Sequence, residues 1–113
     1  MTVDLDWENL GFNYSKLPFR YISYYKDGKW DEGQLTEDAT LHISEASPAL
    51  HYGQEAFEGL KAYRTKDGSI QLFRPDENAK RLQRTADRLL MPQVPVDKFV
   101  DACKQAVSYT HLT

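Results

Sequence analysis

Aromatic and β-branched residues surround a turn signal in the first third of the chain. The segments Tyr21–Lys26 and Lys29–Gln34 carry tyrosine, isoleucine and tryptophan side chains on either side of Asp27 and Gly28. An Asp-Gly dipeptide closes hairpins because it supplies residues that tolerate positive φ. The pattern predicts a β-hairpin at this point, and Leu41–Ser44 is a weaker strand candidate.

A second hairpin is predicted in the middle of the chain. Its strands are Gly59–Thr65 and Ser69–Phe73, and the tripeptide Lys66–Gly68 joins them. The glycine in this connection again favours a tight turn between two strands.

Apolar residues at three- and four-residue steps predict two amphipathic helices after the hairpins. The first begins at Pro75, whose fixed φ suits the first helical position, and ends at Met91 and Pro92. The second is Val96–Val107. Hairpins followed by helices, without strict alternation, predict an α+β fold with a small antiparallel sheet of hairpins and two helices.

The length of the chain predicts one small domain or a piece of one, since domains commonly contain about 100–150 residues. With 113 residues and a hydrophobic fraction of 41%, the core is expected to be modest, and the fold marginal alone or dependent on a partner domain. Residues 1–19 are predicted to form an irregular arm, and residues 20–107 the α+β domain. The last six residues, SYTHLT, break the helical pattern, which predicts a truncated segment with a foreign or misread tail.

Charge and cysteine content narrow the class of protein. The net charge is −3, with −7 in residues 1–60 and +4 in residues 61–113, which argues against a general nucleic-acid binder and favours a local anion such as a phosphate. Cys103 is the only cysteine, so no internal disulfide forms. From the acidic start MTVDLDWENL we expect no secretory or transit signal, and no apolar run reaches the roughly 20 residues of a membrane span. The composition predicts a soluble, cytoplasmic protein.

The stretch His51–Arg64, HYGQEAFEGLKAYR, combines glycines with aromatic side chains. Gly53 and Gly59 allow positive φ or the close approach of another group, and Tyr52 and Phe57 lie beside them. Rigid rings next to bare backbone are typical of a small-molecule pocket, whose walls are mostly apolar. The alternative, which these residues alone favour, is a tight corner whose rings fill the core.

Three arginines recur at helical spacing, namely Arg81, Arg84 and Arg88, with Lys80 alongside. This spacing alone is typical of a solvated basic face. The sharper hypothesis is that one guanidinium binds a phosphate through a bidentate, charge-assisted pair, and Arg81 is the best candidate because it lies nearest the preceding hairpin.

The other polar residues give weaker signals. His42 and His51 have no metal-ligand spacing with a cysteine, so structural histidines are favoured and no metal site is predicted. Glu55 and Glu58 lie close in sequence, but solvated acids or turn ligands are favoured over an acid–base pair. Cys103 lies on an apolar helical face and is predicted to be a core thiol.

The run PALHYGQEAFEGLKAYRTKDGSIQLFRPDENAKRLQRTADRL, with the preceding FRYISYYKDGKWDEGQL, closely resembles the N-terminal domain of branched-chain amino-acid aminotransferases. These are pyridoxal-phosphate enzymes of the D-amino-acid-aminotransferase-like fold. The resemblance implies that Arg81 binds the cofactor phosphate and that Tyr52 and Phe57 form walls of the substrate pocket. It also implies that Gly59 lets the substrate lie close to the backbone.

The resemblance further implies a homodimer that moves amino groups between leucine, isoleucine or valine and 2-oxoglutarate. The Schiff-base lysine of the family has no counterpart among these residues, so no catalytic residue is assigned in this chain. We expect the segment alone to be inactive. The alternatives are a related enzyme of the same fold, such as a D-amino-acid aminotransferase or aminodeoxychorismate lyase, and a non-catalytic binding module.

Overall fold

The computed structural model describes residues 17–110, in which hairpins are followed by helices. The six strands are β1 (Arg20–Ile22), β2 (Tyr25–Lys26), β3 (Lys29–Trp30), β4 (Gln34–Thr36), β5 (Ala62–Arg64) and β6 (Ile70–Leu72). The three helices are α1 (Pro48–His51), between β4 and β5, then α2 (Pro75–Arg88) and α3 (Val96–Thr110). Each strand pairs with one antiparallel neighbour, which confirms the predicted α+β class.

The first predicted hairpin is confirmed, and a β-bulge divides it into two pairs. β2 pairs with β3 next to the turn, and β1 pairs with β4 further out. Between these pairs, two residues on the first side face three on the second, so the returning strand carries one extra residue. Gly33 absorbs it with a φ of 74°, at a point where a Cβ would collide with the Tyr21 side chain. The bulge explains why the predicted strand Lys29–Gln34 is split.

The second predicted hairpin is also confirmed, with shorter strands than the pattern suggested. Tyr63 of β5 lies opposite Gln71 of β6. The turn is closed by Thr65, whose N–H donates to the carbonyl of Ser69 at 2.8 Å, while the Gly68 N–H donates back to the Thr65 carbonyl at 3.0 Å.

The weaker strand candidate, Leu41–Ser44, is wrong, because these residues form no strand and are exposed. Local hydrogen bonds replace a strand ladder here. Asp38 Oδ1 accepts from the Thr40 N–H at 2.9 Å, and Asp38 Oδ2 lies 2.7 Å from His42 Nε2. Short side chains that bond to nearby backbone compete with sheet formation in this way.

The helix starts agree with the sequence analysis better than the helix ends. α2 begins at Pro75 as predicted, with Asp76 and Glu77 in its first turn, where the helix dipole favours negative charge. It ends at Arg88, before the predicted Met91, because Leu90 adopts a left-handed φ of 58°. α3 begins at Val96 as predicted but continues three residues past Val107, to Thr110.

Among the described residues the core is small. Only Ala79 and Ala86, both on α2, are buried apolar residues, and α2 packs against α3, which also contacts β1. Many large apolar side chains stay exposed, namely Tyr24, Tyr25, Leu41, Ile43, Leu50, Tyr52, Phe57, Tyr63, Phe73, Leu89 and Leu90. A fold with so little buried apolar surface gains little hydrophobic stabilisation by itself.

Polar contacts attach the first hairpin to the helices. Trp30 Nε1–H donates to the Gln93 carbonyl at 3.0 Å, and Lys98 Nζ donates to the Asp31 carbonyl at 2.5 Å. Both contacts join residues more than 60 positions apart in the chain. They hold the bulged end of the hairpin against the α2–α3 connection and the start of α3.

The structure gives limited information on the predicted N-terminal arm and on membrane-spanning helices. Most of the predicted arm, residues 1–19, lies outside the described residues, so the arm and the proposed domain limits stay predictions. No helix between residues 17 and 110 combines the length and the apolar character needed to cross a membrane.

Candidate functional site

A carboxylate whose side chain is 6% exposed joins α2 to the segment that precedes β5. Glu58 lies in that segment, and both oxygens of its carboxylate accept hydrogen bonds from the Arg81 guanidinium. Arg81 Nε donates to Glu58 Oε2 at 2.8 Å, and Arg81 Nη2 donates to Glu58 Oε1. Asn78 Nδ2 donates to the same Oε1 at 2.8 Å and to the Gly59 carbonyl at 3.1 Å. We call Glu58, Asn78 and Arg81 the α2 cluster.

Helical geometry explains why two of these side chains meet one carboxylate. Asn78 and Arg81 are three residues apart on α2, and residues at this spacing share a face of a helix. Pro75 fixes the start of α2 three residues after the end of β6, and Asn78 and Arg81 lie in the first two turns of this helix. The strand β5 begins four residues after Glu58, which places the carboxylate at the same end of the hairpin.

The two members of the ion pair differ in exposure. The Glu58 side chain is 6% exposed, whereas the Arg81 side chain is 60% exposed. Hydrogen bonds from Arg81 hold the pKa of Glu58 below its ordinary value of 4.5, the Asn78 amide and the Arg81 charge act in the same direction, and burial opposes them. The hydrogen bonds and charge of Glu58 raise the pKa of Arg81 in turn. Both groups are therefore charged at neutral pH.

The contacts with Glu58 leave part of the Arg81 guanidinium outside the pair. A guanidinium carries five N–H donors in a fixed plane, and Glu58 engages the edge formed by Nε and Nη2. The other edge, which carries Nη1 and the second hydrogen of Nη2, has the geometry for a bidentate bond to a second oxyanion. Arg81 is thus held on its buried side and faces solvent on the other.

The aromatic residues singled out in the sequence do not fill the core. Tyr52 is 87% exposed and Phe57 is 91% exposed, so the alternative that these rings pack inside a tight corner is wrong. Phe57 immediately precedes Glu58, and its ring lies near Gly59. Exposed rings beside a buried acid are compatible with a wall that meets another molecule or another segment.

Gly53 and Gly59 differ in backbone conformation and in what surrounds them. Gly53 has a φ of 65°, a conformation that residues with a Cβ rarely adopt. Gly59 does not have positive φ, and a Cβ built on it would lie 3.9 Å from Phe57 Cε2, an ordinary contact. Gly53 is therefore required by the backbone, whereas Gly59 keeps space beside the Phe57 ring.

The basic residues near Arg81 are divided between different partners. Lys80 lies 3.4 Å from Glu77 and 3.9 Å from Asp76 across one turn of α2, and Arg84 and Arg88 are exposed. Only Arg81 of these cations reaches the buried carboxylate in the described part of the chain. Arg81, the candidate that lies nearest the preceding hairpin, is thus the one that the fold sets apart from the basic face.

His42 and His51 contact nearby groups of the same chain, and the cysteine is half-buried in a helix. His51 Nε2 lies 2.5 Å from the Glu45 carbonyl, and His42 is paired with Asp38. Cys103 is half-buried in α3, and burial raises the pKa of its thiol. Within residues 17–110 no group of histidine, cysteine and acidic side chains is arranged to hold a metal ion.

Sequence reasoning missed two members of the α2 cluster. The sequence favours a solvated acid or turn ligand for Glu58 and gives no signal for Asn78. Their partners lie 20 to 23 residues away, so no local spacing rule connects them. The usable signal was the spacing of Asn78 and Arg81 on one helical face, together with an acid in the preceding hairpin.

The cofactor that the resemblance implies can be compared with these residues. A phosphate needs a cation that donates several hydrogen bonds, and the outer edge of Arg81 supplies such a donor set. The exposed rings of Tyr52 and Phe57 supply apolar surface in the segment that leads into Glu58. The chemistry of the described residues therefore fits one end of pyridoxal phosphate, its phosphate group.

Similarity to characterised proteins covers most of the chain. It is 70% identical over 104 residues to the branched-chain-amino-acid aminotransferase of Haemophilus influenzae, which accounts for 92% of this chain and 30% of that protein. The enzyme of the same name from Helicobacter pylori is 55% identical over 104 residues, which are 92% of this chain and 31% of that protein. A protein named methionine aminotransferase BCAT4, from Arabidopsis thaliana, is 46% identical over 91% of this chain and 29% of its own length. No protein-family model matches the chain. The chain thus spans about 30% of the length of the curated relatives it matches.

Proposed function

We propose a function from the premise that this chain corresponds to a segment of the branched-chain amino-acid aminotransferases. The chain contributes one wall of an active site that moves amino groups between leucine, isoleucine or valine and 2-oxoglutarate. The observation that carries this proposal is the identity of 70% over 104 residues to a protein of that name. The proposal extends to a cytoplasmic homodimer with a role in branched-chain amino-acid biosynthesis.

The role we propose for Arg81 is to bind the phosphate of pyridoxal phosphate. The outer edge of its guanidinium offers two parallel N–H donors, which match the spacing of two phosphate oxygens. Glu58 cancels the charge of Arg81 only on the buried side. When bound, the cofactor supplies an electron sink for the α-carbon of the amino acid.

Tyr52 and Phe57 are proposed to contact the substrate side chain and to exclude water from it. Their exposure of 87% and 91% leaves apolar ring surface available to an aliphatic group. Gly59 leaves the space beside Phe57 open, so that the substrate lies close to the backbone. Apolar walls distinguish side chains that differ by one methylene by only about 1–3 kcal/mol, so we expect slight preference among leucine, isoleucine and valine.

A second substrate candidate comes from the relatives. One protein with 46% identity carries the name methionine aminotransferase. Methionine is also apolar, and its unbranched side chain adapts to irregular apolar surfaces. We therefore include methionine among the amino donors to be tested.

The experiment is a chimera in which the 104 matched residues of this chain replace the corresponding segment of the Haemophilus influenzae relative. We expect the chimera to transfer the amino group of leucine to 2-oxoglutarate, and this chain alone to give no turnover. Arg81→Ala in the chimera should weaken pyridoxal phosphate binding by tenfold or more, since charged hydrogen bonds contribute about 1.5–3 kcal/mol.

Arg84→Ala is the matched control, because Arg84 is an exposed arginine on the same helix. It should leave the dissociation constant for pyridoxal phosphate unchanged. A folded chimera that transfers no amino group from any of the four donors would contradict the proposed activity. Equal effects of Arg81→Ala and Arg84→Ala would contradict the phosphate role of Arg81.

A further inference from the structure

We propose that Glu58 is a positioning residue, whose buried carboxylate aims the Arg81 guanidinium at the cofactor phosphate. This inference rests on the proposed function and deepens it. The observation behind it is the asymmetry of the α2 cluster, in which an acid with 6% exposure holds a cation with 60% exposure.

The first step concerns the freedom of the arginine side chain. An exposed arginine has many rotamers, and ordering it on a ligand has an entropic cost. Glu58 accepts from both Nε and Nη2, which fixes the plane of the guanidinium as well as its position. The outer edge is then oriented before the phosphate arrives, and preorganisation of this kind raises affinity by reducing the ordering cost on binding.

The second step concerns what fixes the carboxylate. Asn78 Nδ2 donates to Glu58 Oε1 at 2.8 Å and to the Gly59 carbonyl at 3.1 Å. The amide thus connects the acid, its own backbone segment and α2. Because Glu58 is held by a neutral donor as well as by Arg81, its carboxylate keeps its place while the guanidinium binds a second anion.

The third step separates positioning from simple charge. A second anion beside Arg81 would be repelled by Glu58 if the carboxylate acted only through its charge. In that case removal of the Glu58 charge would strengthen phosphate binding. If Glu58 acts by orienting the guanidinium, its neutral variant should weaken binding of the phosphate group instead. The two hypotheses predict effects of opposite sign.

The test uses the full-length chimera and compares pyridoxal phosphate with pyridoxal, which lacks the phosphate. Equilibrium dialysis gives a dissociation constant for each. The dissociation constant of pyridoxal divided by that of pyridoxal phosphate reports the contribution of the phosphate group, and this ratio falls when that contribution is lost. Glu58→Gln should weaken pyridoxal phosphate binding by up to about tenfold, because the Arg81 side chain must then be ordered when the phosphate binds, and it should change pyridoxal binding less than twofold. Glu55→Gln is the control, since Glu55 is an exposed acid three residues away.

The double variant Arg81→Ala/Glu58→Gln tests whether Glu58 acts through Arg81. We expect it to bind pyridoxal phosphate as Arg81→Ala alone does, since residues that act as one unit give non-additive effects. An unchanged or larger ratio in Glu58→Gln would overturn the inference, as would an equal loss for both ligands, which indicates a purely structural role.

Asn78→Ala keeps the test decisive if Glu58→Gln does not fold. This variant leaves the ion pair in place and removes only the amide that holds the carboxylate, so the ratio should fall by less than in Glu58→Gln. An unchanged ratio in Asn78→Ala would then overturn the inference. If Arg81→Ala itself leaves the ratio unchanged, the proposed phosphate role fails. If only the Glu58 and Asn78 variants leave it unchanged, the positioning role alone fails.

Discussion

Asp31 and Glu58 each organise a polar cluster, and the contrast between them shows how a structural acid differs from one in a candidate site. Asp31, at the bulge of the first hairpin, accepts from the Ser23 hydroxyl at 2.6 Å, the Gly33 N–H at 2.9 Å and the Tyr24 N–H at 3.1 Å. All three donors are neutral and lie within eight residues of Asp31. Glu58 accepts from a guanidinium and an amide 20 to 23 residues away.

Burial follows the same division. Asp31 is exposed, so water competes with each of its hydrogen bonds, whereas the Glu58 side chain is almost fully covered. A buried charge needs its partner far more than an exposed one does. Asp31 therefore shapes one bulge, while Glu58 fixes the relation between α2 and the hairpin and orients a cation that faces solvent.

Replacement of each acid by alanine should give the largest difference in unfolding free energy between the two clusters. Glu58→Ala deprives Arg81 and Asn78 of their shared acceptor, and we expect a loss of about 2 kcal/mol in the free energy of unfolding. Asp31→Ala should cause a smaller loss, because water replaces the acid at an exposed bulge. Urea unfolding followed by circular dichroism at 222 nm measures both. Equal losses would mean that burial does not distinguish the two acids.

Local chemistry in the sequence predicted the parts of the fold that depend on neighbouring residues. Asp27 and Gly28 specified the first turn, and Pro75 specified the start of α2, because each acts through its own backbone. The strand predicted at Leu41–Ser44 was wrong because a strand forms only when a second segment pairs with it. The sequence of Leu41–Ser44 does not show whether such a partner exists. The end of α2 was missed because Leu90 adopts positive φ, which leucine rarely does.

The candidate site, like the fold, was predicted only in part from the sequence. Helical spacing and the resemblance singled out Arg81, and the fold separates Arg81 from the neighbouring cations. The carboxylate that holds it was not predicted, since no local spacing rule distinguishes Glu58 from Glu55 as a partner of an arginine 23 residues away. Their difference arises from tertiary contacts, which bury Glu58 beside Asn78 and leave Glu55 exposed.

A smaller effect should separate the two glycines that flank the exposed rings. Gly53→Ala forces a Cβ into a φ of 65°, which costs about 1–2 kcal/mol. Gly59→Ala places a Cβ at 3.9 Å from the Phe57 ring without positive φ, so its unfolding free energy should change by less than about 0.5 kcal/mol. Urea midpoints of the two variants test this order. If Gly59→Ala were the more destabilising, the space beside Phe57 would be needed by the fold and not by a ligand.

The smallest effect is expected at acid pH, where protonation of Glu58 and of Asp31 should lower the free energy of unfolding over different pH ranges. The folded chain lowers the pKa of Glu58 below 4.5, first through hydrogen bonds from Arg81, and it lowers the pKa of Asp31 below 3.8, first through the Ser23 hydroxyl. A depressed folded pKa gives stability that is present above the unfolded pKa and is lost as pH falls through the folded pKa. The advantage of the native chain over Glu58→Gln should therefore begin to shrink near pH 4.5, and its advantage over Asp31→Asn only near pH 3.8.

Neither Arg81 nor Asn78 titrates in this range, so a decline near pH 4.5 reports on Glu58 itself. Unfolding free energies measured in urea at steps of pH give the two curves, and Glu55→Gln, which leaves the α2 cluster intact, serves as the control. If the advantage over Glu58→Gln were independent of pH down to the Asp31 range, Glu58 would have the same pKa in the folded and unfolded chains. The hydrogen bonds from Arg81 would then not favour the ionised carboxylate, which removes the electrostatic basis of the positioning role.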